Sequence, residues 1–167
     1  MQMRFPYTGP NGLKLGSFYE SDLRKLGKIL EKEPYSYWPT LVQYKRDVRS
    51  QMDSKSGLVM TAKRDGVVKG YIVVTELVRG GHAIAHAHFY PGAFGDVVAL
   101  GRLACKLAFD RYDIRKISMT IFKPNRKAII AALRVGFKQE GLLRKAVIAQ
   151  GAPTDVVIVG LLKEEFE

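Results

Sequence analysis

The sequence predicts an α/β domain with a mixed sheet, on three observations. Apolar residues recur at helical spacing in four stretches. Runs rich in β-branched residues, two of them joined at the turn dipeptide Asp65-Gly66, mark strands between and after those helices. The order is two helices, a three-stranded meander, helix, strand, helix and a two-stranded end, which closes a sheet with helices on its faces. At 167 residues, 47% apolar and 26% charged, the chain has the size and composition of a single globular domain over 1–167, with 1–16 as an N-terminal arm or edge strand.

The first helix is expected over Ser17–Glu33, with Leu23, Leu26, Ile29 and Leu30 on one face, Ser21-Asp22 as cap and Pro34 as stop. A second runs from Pro39 to Met52, Pro39-Thr40 opening it. Residues 57–78 read as two hairpin strands and His82–Tyr90 as a third. The loop Pro91–Asp96 leads into a helix over Val97–Tyr112, with Leu100, Leu103, Ala104 and Leu107 on its apolar face. Lys116–Phe122 is a strand, Arg126–Val135 a short amphipathic helix, and two strands flank Gly151-Ala152-Pro153.

The N-terminus has no apolar leader core, and no run approaches the roughly 20 apolar residues of a membrane span, so a cytoplasmic protein without a membrane partner is expected. The lone Cys105 has no internal disulfide partner and reads as a core residue of its helix. Of the net charge of +11, most lies in Arg111–Lys145, where ten Lys/Arg face only Asp113 and Glu140. Such a field attracts anions: nucleic acid, the ribosome, an acidic protein or a phosphorylated cofactor. A solvated basic face is the plain alternative.

The segment Lys116–Phe137 is the most informative. A strand runs into Asn125, a helix carries Ala128, and Gly136-Phe137 closes it, with Gly141 beyond. This segment and the element order resemble the GNAT superfamily of N-acetyltransferases from about Ser17 onward, in particular the enzymes acting on protein N-termini, including ribosomal proteins, and similar phage-encoded proteins. The resemblance implies a mixed, mostly antiparallel central sheet of six to seven strands flanked by about four helices and splayed between two parallel central strands, here those ending near Tyr90 and Phe122. It also implies acetyl-CoA as cosubstrate, an amine acceptor of unknown identity and direct attack in a ternary complex. The cofactor's pantetheine arm is expected along Phe89 and Tyr90, with Asn125 facing it across the gap.

The family's pyrophosphate loop, Arg/Gln-x-x-Gly-x-Gly/Ala, aligns with Gly92, Ala93, Phe94, Gly95, Asp96 and Val97, where Gly95 matches. Gly92 replaces a long polar side chain, Val97 adds bulk, and Asp96 brings a carboxylate toward the expected phosphates. Asp96 also reads as the helix N-cap. Lys123, Arg126 and Lys127 are placed to compensate at the pyrophosphate or 3′-phosphate, or form a solvated helix start.

For catalysis, His82, His86 and His88 share one strand face with Ile84 and Tyr90. Histidine titrates near neutrality. His86 is the first candidate base, then His88, then Glu76 on the preceding strand; core packing of the imidazoles is the structural alternative. Three histidines along one straight strand span too far to chelate a metal readily. Many relatives place an acidic tyrosine two helical turns after the asparagine, where this chain has Ala132. Tyr35, Tyr37 and Trp38 either wall an amine pocket or staple the first two helices. A GNAT-like module without turnover, binding nucleic acid or an assembly through its basic half, is the competing reading. The strands from Lys138 onward are expected to form a homodimer edge.

Overall fold

The computed structural model describes residues 5–32, 41–53 and 57–166. Along them run β1 (Tyr7–Thr8), β2 (Leu13–Ser17), α1 (Glu20–Leu30), α2 (Leu41–Asp53), β3 (Leu58–Arg64), β4 (Val67–Thr75), β5 (His82–Phe89), α3 (Phe94–Tyr112), β6 (Lys116–Phe122), α4 (Arg126–Val135), β7 (Lys138–Ala149) and β8 (Ala152–Leu162), with a 3-10 turn at Lys163–Glu165. The strands form one sheet in the order β1-β2-β3-β4-β5-β6-β8-β7, antiparallel at every junction but β5–β6.

Among the described residues eight strands replace the expected six to seven, because the N-terminal arm contributes two. Leu13 and Leu15 alternate into the core, and β2 pairs with β3 along its whole length. α1 begins at Glu20 rather than Ser17, and the expected cap at Ser21-Asp22 lies inside its first turn: Asp22 accepts the Tyr19 N–H at 2.9 Å from there. Pro34, the Pro39-Thr40 start and the aromatics Tyr35, Tyr37 and Trp38 lie outside the described residues.

The two faces of the sheet carry separate cores. One packs Leu15, Met60, Ile72, Val74, Ile117 and Val159 against Leu100, Leu103 and Leu107 of α3, with Ala132, Val135 and Phe137 around the end of α4. The other sets Val59, Tyr71 and Val73 against Leu23, Leu26 and Ile29 of α1 and Val48 of α2. Strand alternation sends Tyr71 and Val73 of β4 to the α1/α2 face and Ile72 and Val74 to the α3 face. No described helix is long and apolar enough to cross a membrane.

α4 ends as its sequence requires. Gly136 adopts φ 122°, its N–H donates to Leu133 O at 3.1 Å, and the Phe137 N–H reaches back to Ala132 O at 3.1 Å. That is a Schellman closure with Phe137 as its buried apolar plug. Arg102 of α3 donates to Val135 O at 2.9 Å, tying the two helices at the same point. The twelve-residue β7 is the outer strand and leaves Leu142, Leu143 and Ile148 exposed, at the edge where the dimer contact was expected.

Phe137→Ala is expected to lower unfolding free energy by about 3–5 kcal/mol, because a buried ring is exchanged for a cavity. Urea denaturation of the variant beside the parent chain measures it.

Candidate functional site

β5 and β6 pair through His82↔Lys116, Ala83↔Ile117 and Ile84↔Ser118, and no further, although both strands continue. Beyond Ile84 the sheet is open between them, as expected for two splayed parallel strands. The Tyr90 N–H donates to Lys69 O at 2.9 Å, and Tyr71↔His88 and Val73↔His86 continue that register. His86 and His88 therefore turn their backbone groups to β4, and the N–H and C=O of Ala87 and Phe89 face the gap. Ala87 is exposed and Phe89 half-buried, so these groups are open to water or to a hydrogen-bonding ligand.

The strand leads through Tyr90 into the loop before α3. Gly92 adopts φ 87°, a left-handed turn that a side chain would strain, and the turn is closed by Ala93 N–H to Tyr90 O at 3.0 Å. Ala93 is the N-cap of α3, which begins at Phe94, so the expected start at Val97 and the cap role of Asp96 are both corrected. The cap is a backbone turn, and Asp96 falls in the first helical turn with Val97 after it. The N–H groups of Phe94 and Gly95 lie at the helix start, where intrahelical acceptors are missing. A Cβ on Gly92 or Gly95 would meet open space.

Asp96 is 16% exposed and engaged by two cations that the sequence reading did not single out. Arg64 Nε donates to its Oδ1, and Lys69 Nζ lies 3.6 Å from its Oδ2. Arg64 also donates to Asn11 O at 2.8 Å. The overlooked signal was Gly70: glycine inside a strand marks a bulge or a close backbone approach, and both occur beside Lys69.

From the other side of the gap, Lys127 on α4 lies 6.0 Å over the Phe94 ring. Asn125 is the N-cap of α4, its Oδ1 accepting the Ala128 N–H at 3.3 Å, so its acceptor serves the helix start. Lys123 is paired with Asp155 at 3.0 Å. With Arg126, it lines a cleft of about 280 Å³ between α4 and β7–β8, beyond β6 as seen from the gap. Of the three basic candidates, Lys127 alone is brought to Phe94.

His86 and His88 are 9% and 6% exposed and lie on the α1/α2 face of β5. Burial, with the neighbouring His88, pushes the His86 imidazole down to about 4, so it is neutral at pH 7. His82 is exposed at the far end of the strand, 4.0 Å from Glu76. Glu76 follows β4 rather than lying on it, at φ 49°, where β5 and β6 are still paired. Along an extended strand that is roughly 20 Å from His88. Cys105 is buried, its thiol pushed up to about 12 by desolvation, which suits a core residue. Ala132 is buried with Val135 and Phe137 and offers no hydroxyl. Among the described residues no group of three His, Cys, Asp or Glu is placed to hold a metal ion.

The fold is that of the GNAT N-acetyltransferases. The spermidine N-acetyltransferase of Vibrio cholerae in complex with CoA and spermine superposes with a TM-score of 0.81 over 93% of this chain and 98% of that one, at 17% identity. A dodecameric structure of the same V. cholerae enzyme gives 0.77 over 93% and 96%, at 18% identity. In sequence, the chain is 36% identical over 53 residues to the SPbeta prophage-derived uncharacterized N-acetyltransferase YokL of Bacillus subtilis (strain 168). That stretch covers 32% of this chain and 30% of the relative's length. No protein-family model matches.

Two outcomes follow from these contacts. Asn125→Ala is expected to cost about 1 kcal/mol through the lost cap, and Asn125→Asp almost nothing, read from urea midpoints. Because the folded His86 value lies below its unfolded 6.5, the unfolded chain binds the extra proton. Its contribution is complete above pH 6.5 and is lost as pH falls toward 4. Stability measured at pH 7.5, 5.5 and 4.5 should therefore fall more steeply for the parent than for His86→Gln.

Proposed function

We propose that the protein is an acetyl-CoA-dependent N-acetyltransferase that acts on a primary amine: a protein N-terminus, a lysine or a small amine. The observation that carries this reading is the parting of β5 and β6 after Ile84, which leaves the Ala87 and Phe89 backbone directed into the gap. The chain fits an extended amide-bearing cofactor arm there. The Ala87 and Phe89 groups supply strand-like hydrogen bonds, and the Phe94 and Gly95 amides with the Cβ-free Gly92 and Gly95 cradle phosphate at the α3 start. Lys127 adds a cation from α4. The CoA-bound V. cholerae neighbour and the phage-derived relative's name support the same class.

The thioester supplies the acetyl group: the amine nitrogen forms a bond to the carbonyl carbon, and the carbon–sulfur bond breaks. His86, with His88 two residues on, takes up the proton that the amine releases. Burial keeps His86 neutral and able to accept. Its value of about 4 makes it a weak base, so it acts as a link that passes the proton on. With alanine at position 132, solvent protonates the leaving thiolate.

The competing module without turnover draws on Ala132 and on the basic segment. Lys116, Lys123 and Lys138 of that segment are each ion-paired, to Glu140, Asp155 and Glu165. Nucleic acid and the ribosome gain no support from the fold.

Incubation with acetyl-CoA and a panel of polyamines, amines and peptides, read by mass spectrometry, should give a product heavier by one acetyl group. His86→Ala should cut turnover at least about tenfold while the circular dichroism stays native. Absence of any calorimetric binding of acetyl-CoA by the parent chain would overturn the reading.

A further inference from the structure

The register of β3 and β4 breaks at one place. Ala62 pairs with Gly70 and Lys63 with Val68, so Lys69 has no opposite residue and forms a β-bulge. Tyr71 and Val73 face α1 and α2, and strict alternation would send Lys69 there with them. Val68 takes that face instead, and Lys69 reaches Asp96 on α3, on the other side of the sheet. Gly70 makes the bulge fit: a Cβ there would run into the backbone of His88 and Phe89.

The bulge thus brings a lysine ammonium to the first turn of α3. Arg64, whose parity with Met60 and Ala62 already puts it on that face, arrives beside it. Asp96 holds both, and one carboxylate against two cations leaves the cluster net positive. Among the described residues, further partners are assigned neither to the other Lys69 N–H groups nor to Arg64 Nη2. The loop's own Gly92 and Gly95 carry no side chain to offer an anion.

We propose that Lys69, with Arg64, supplies the cationic contact to the cofactor's pyrophosphate, and that Asp96 is the positioning residue that aims both cations. This rests on the cofactor reading above. It turns Asp96 from a repelling charge into part of the anion site.

The test titrates CoA and S-acetyl-pantetheine, which lacks the pyrophosphate and nucleotide, into the parent chain, Lys69→Ala, Lys69→Arg and Asp96→Asn. Calorimetry reads CoA and amide NMR shifts at millimolar ligand read the shorter thioester, with thermal unfolding as the folding control. Lys69→Ala should weaken CoA about tenfold, flatten its salt dependence and leave S-acetyl-pantetheine within about twofold. Lys69→Arg should restore most of the loss, and Asp96→Asn should also weaken CoA. Unchanged CoA affinity in Lys69→Ala, or equal losses for both ligands, would overturn the proposal. Tighter CoA binding by Asp96→Asn would overturn the positioning role. Failure of the parent chain to bind either ligand would instead overturn the cofactor reading, and this inference with it.

Discussion

The parting of β5 from β6 after three paired residues organises the rest of the molecule. A central pair of parallel strands that stops pairing leaves backbone donors and acceptors unpaired between them, an edge that water or an extended ligand can satisfy. The flanking junctions keep the gap open. β4 holds β5 through Phe89 and onward to Tyr90, and β8 holds β6 along all seven of its residues. Each strand is fixed on its outer side, so the gap cannot close by sliding one toward the other without breaking a complete antiparallel ladder.

The helices then mark the two ends of what the gap can hold. α3 starts at Phe94, a short turn through Gly92 beyond the end of β5 at Phe89. α4 starts at the end of β6, and its Lys127 reaches over Phe94 to the same place. Arg102, bonded to the last turn of α4, and the close approach of Gly101 to Val135 lock the two helices together. His86 and His88 lie on the opposite face of β5, against α1 and α2, so the proposed proton path and the proposed anion site fall on opposite sides of the sheet.

Much of this was legible in the sequence, and the failures have definite causes. Alternation and turn chemistry placed β3 to β6, and Gly136-Phe137 announced the closure of α4, because each is a local property. The N-terminal arm was read as an arm or single edge strand. Its short strands gain their stability from pairing with β3, which no local pattern reports. Asp96 was read as a cap because Asp favours that position, but the chain caps α3 with the Ala93 turn and uses the carboxylate for Arg64 and Lys69 instead. Those partners lie on a hairpin about thirty residues upstream, and the bulge that aims Lys69 breaks the very alternation from which faces are read. Asn125 was expected at the end of β6 facing the cofactor arm; it follows that strand by a turn, and its oxygen caps α4. The family likeness carried the fold further than the site, as expected when fold persists and chemistry drifts.

The central claim is that an extended amide-bearing ligand completes the sheet along β5. Amide hydrogen exchange at single-residue resolution, with and without saturating CoA, addresses it directly. The Ala87 and Phe89 amides should slow strongly on CoA binding, whereas His86, His88 and Tyr90, already bonded to β4, should change little. Exchange at Ala87 and Phe89 that stays as fast with CoA demonstrably bound would contradict the account.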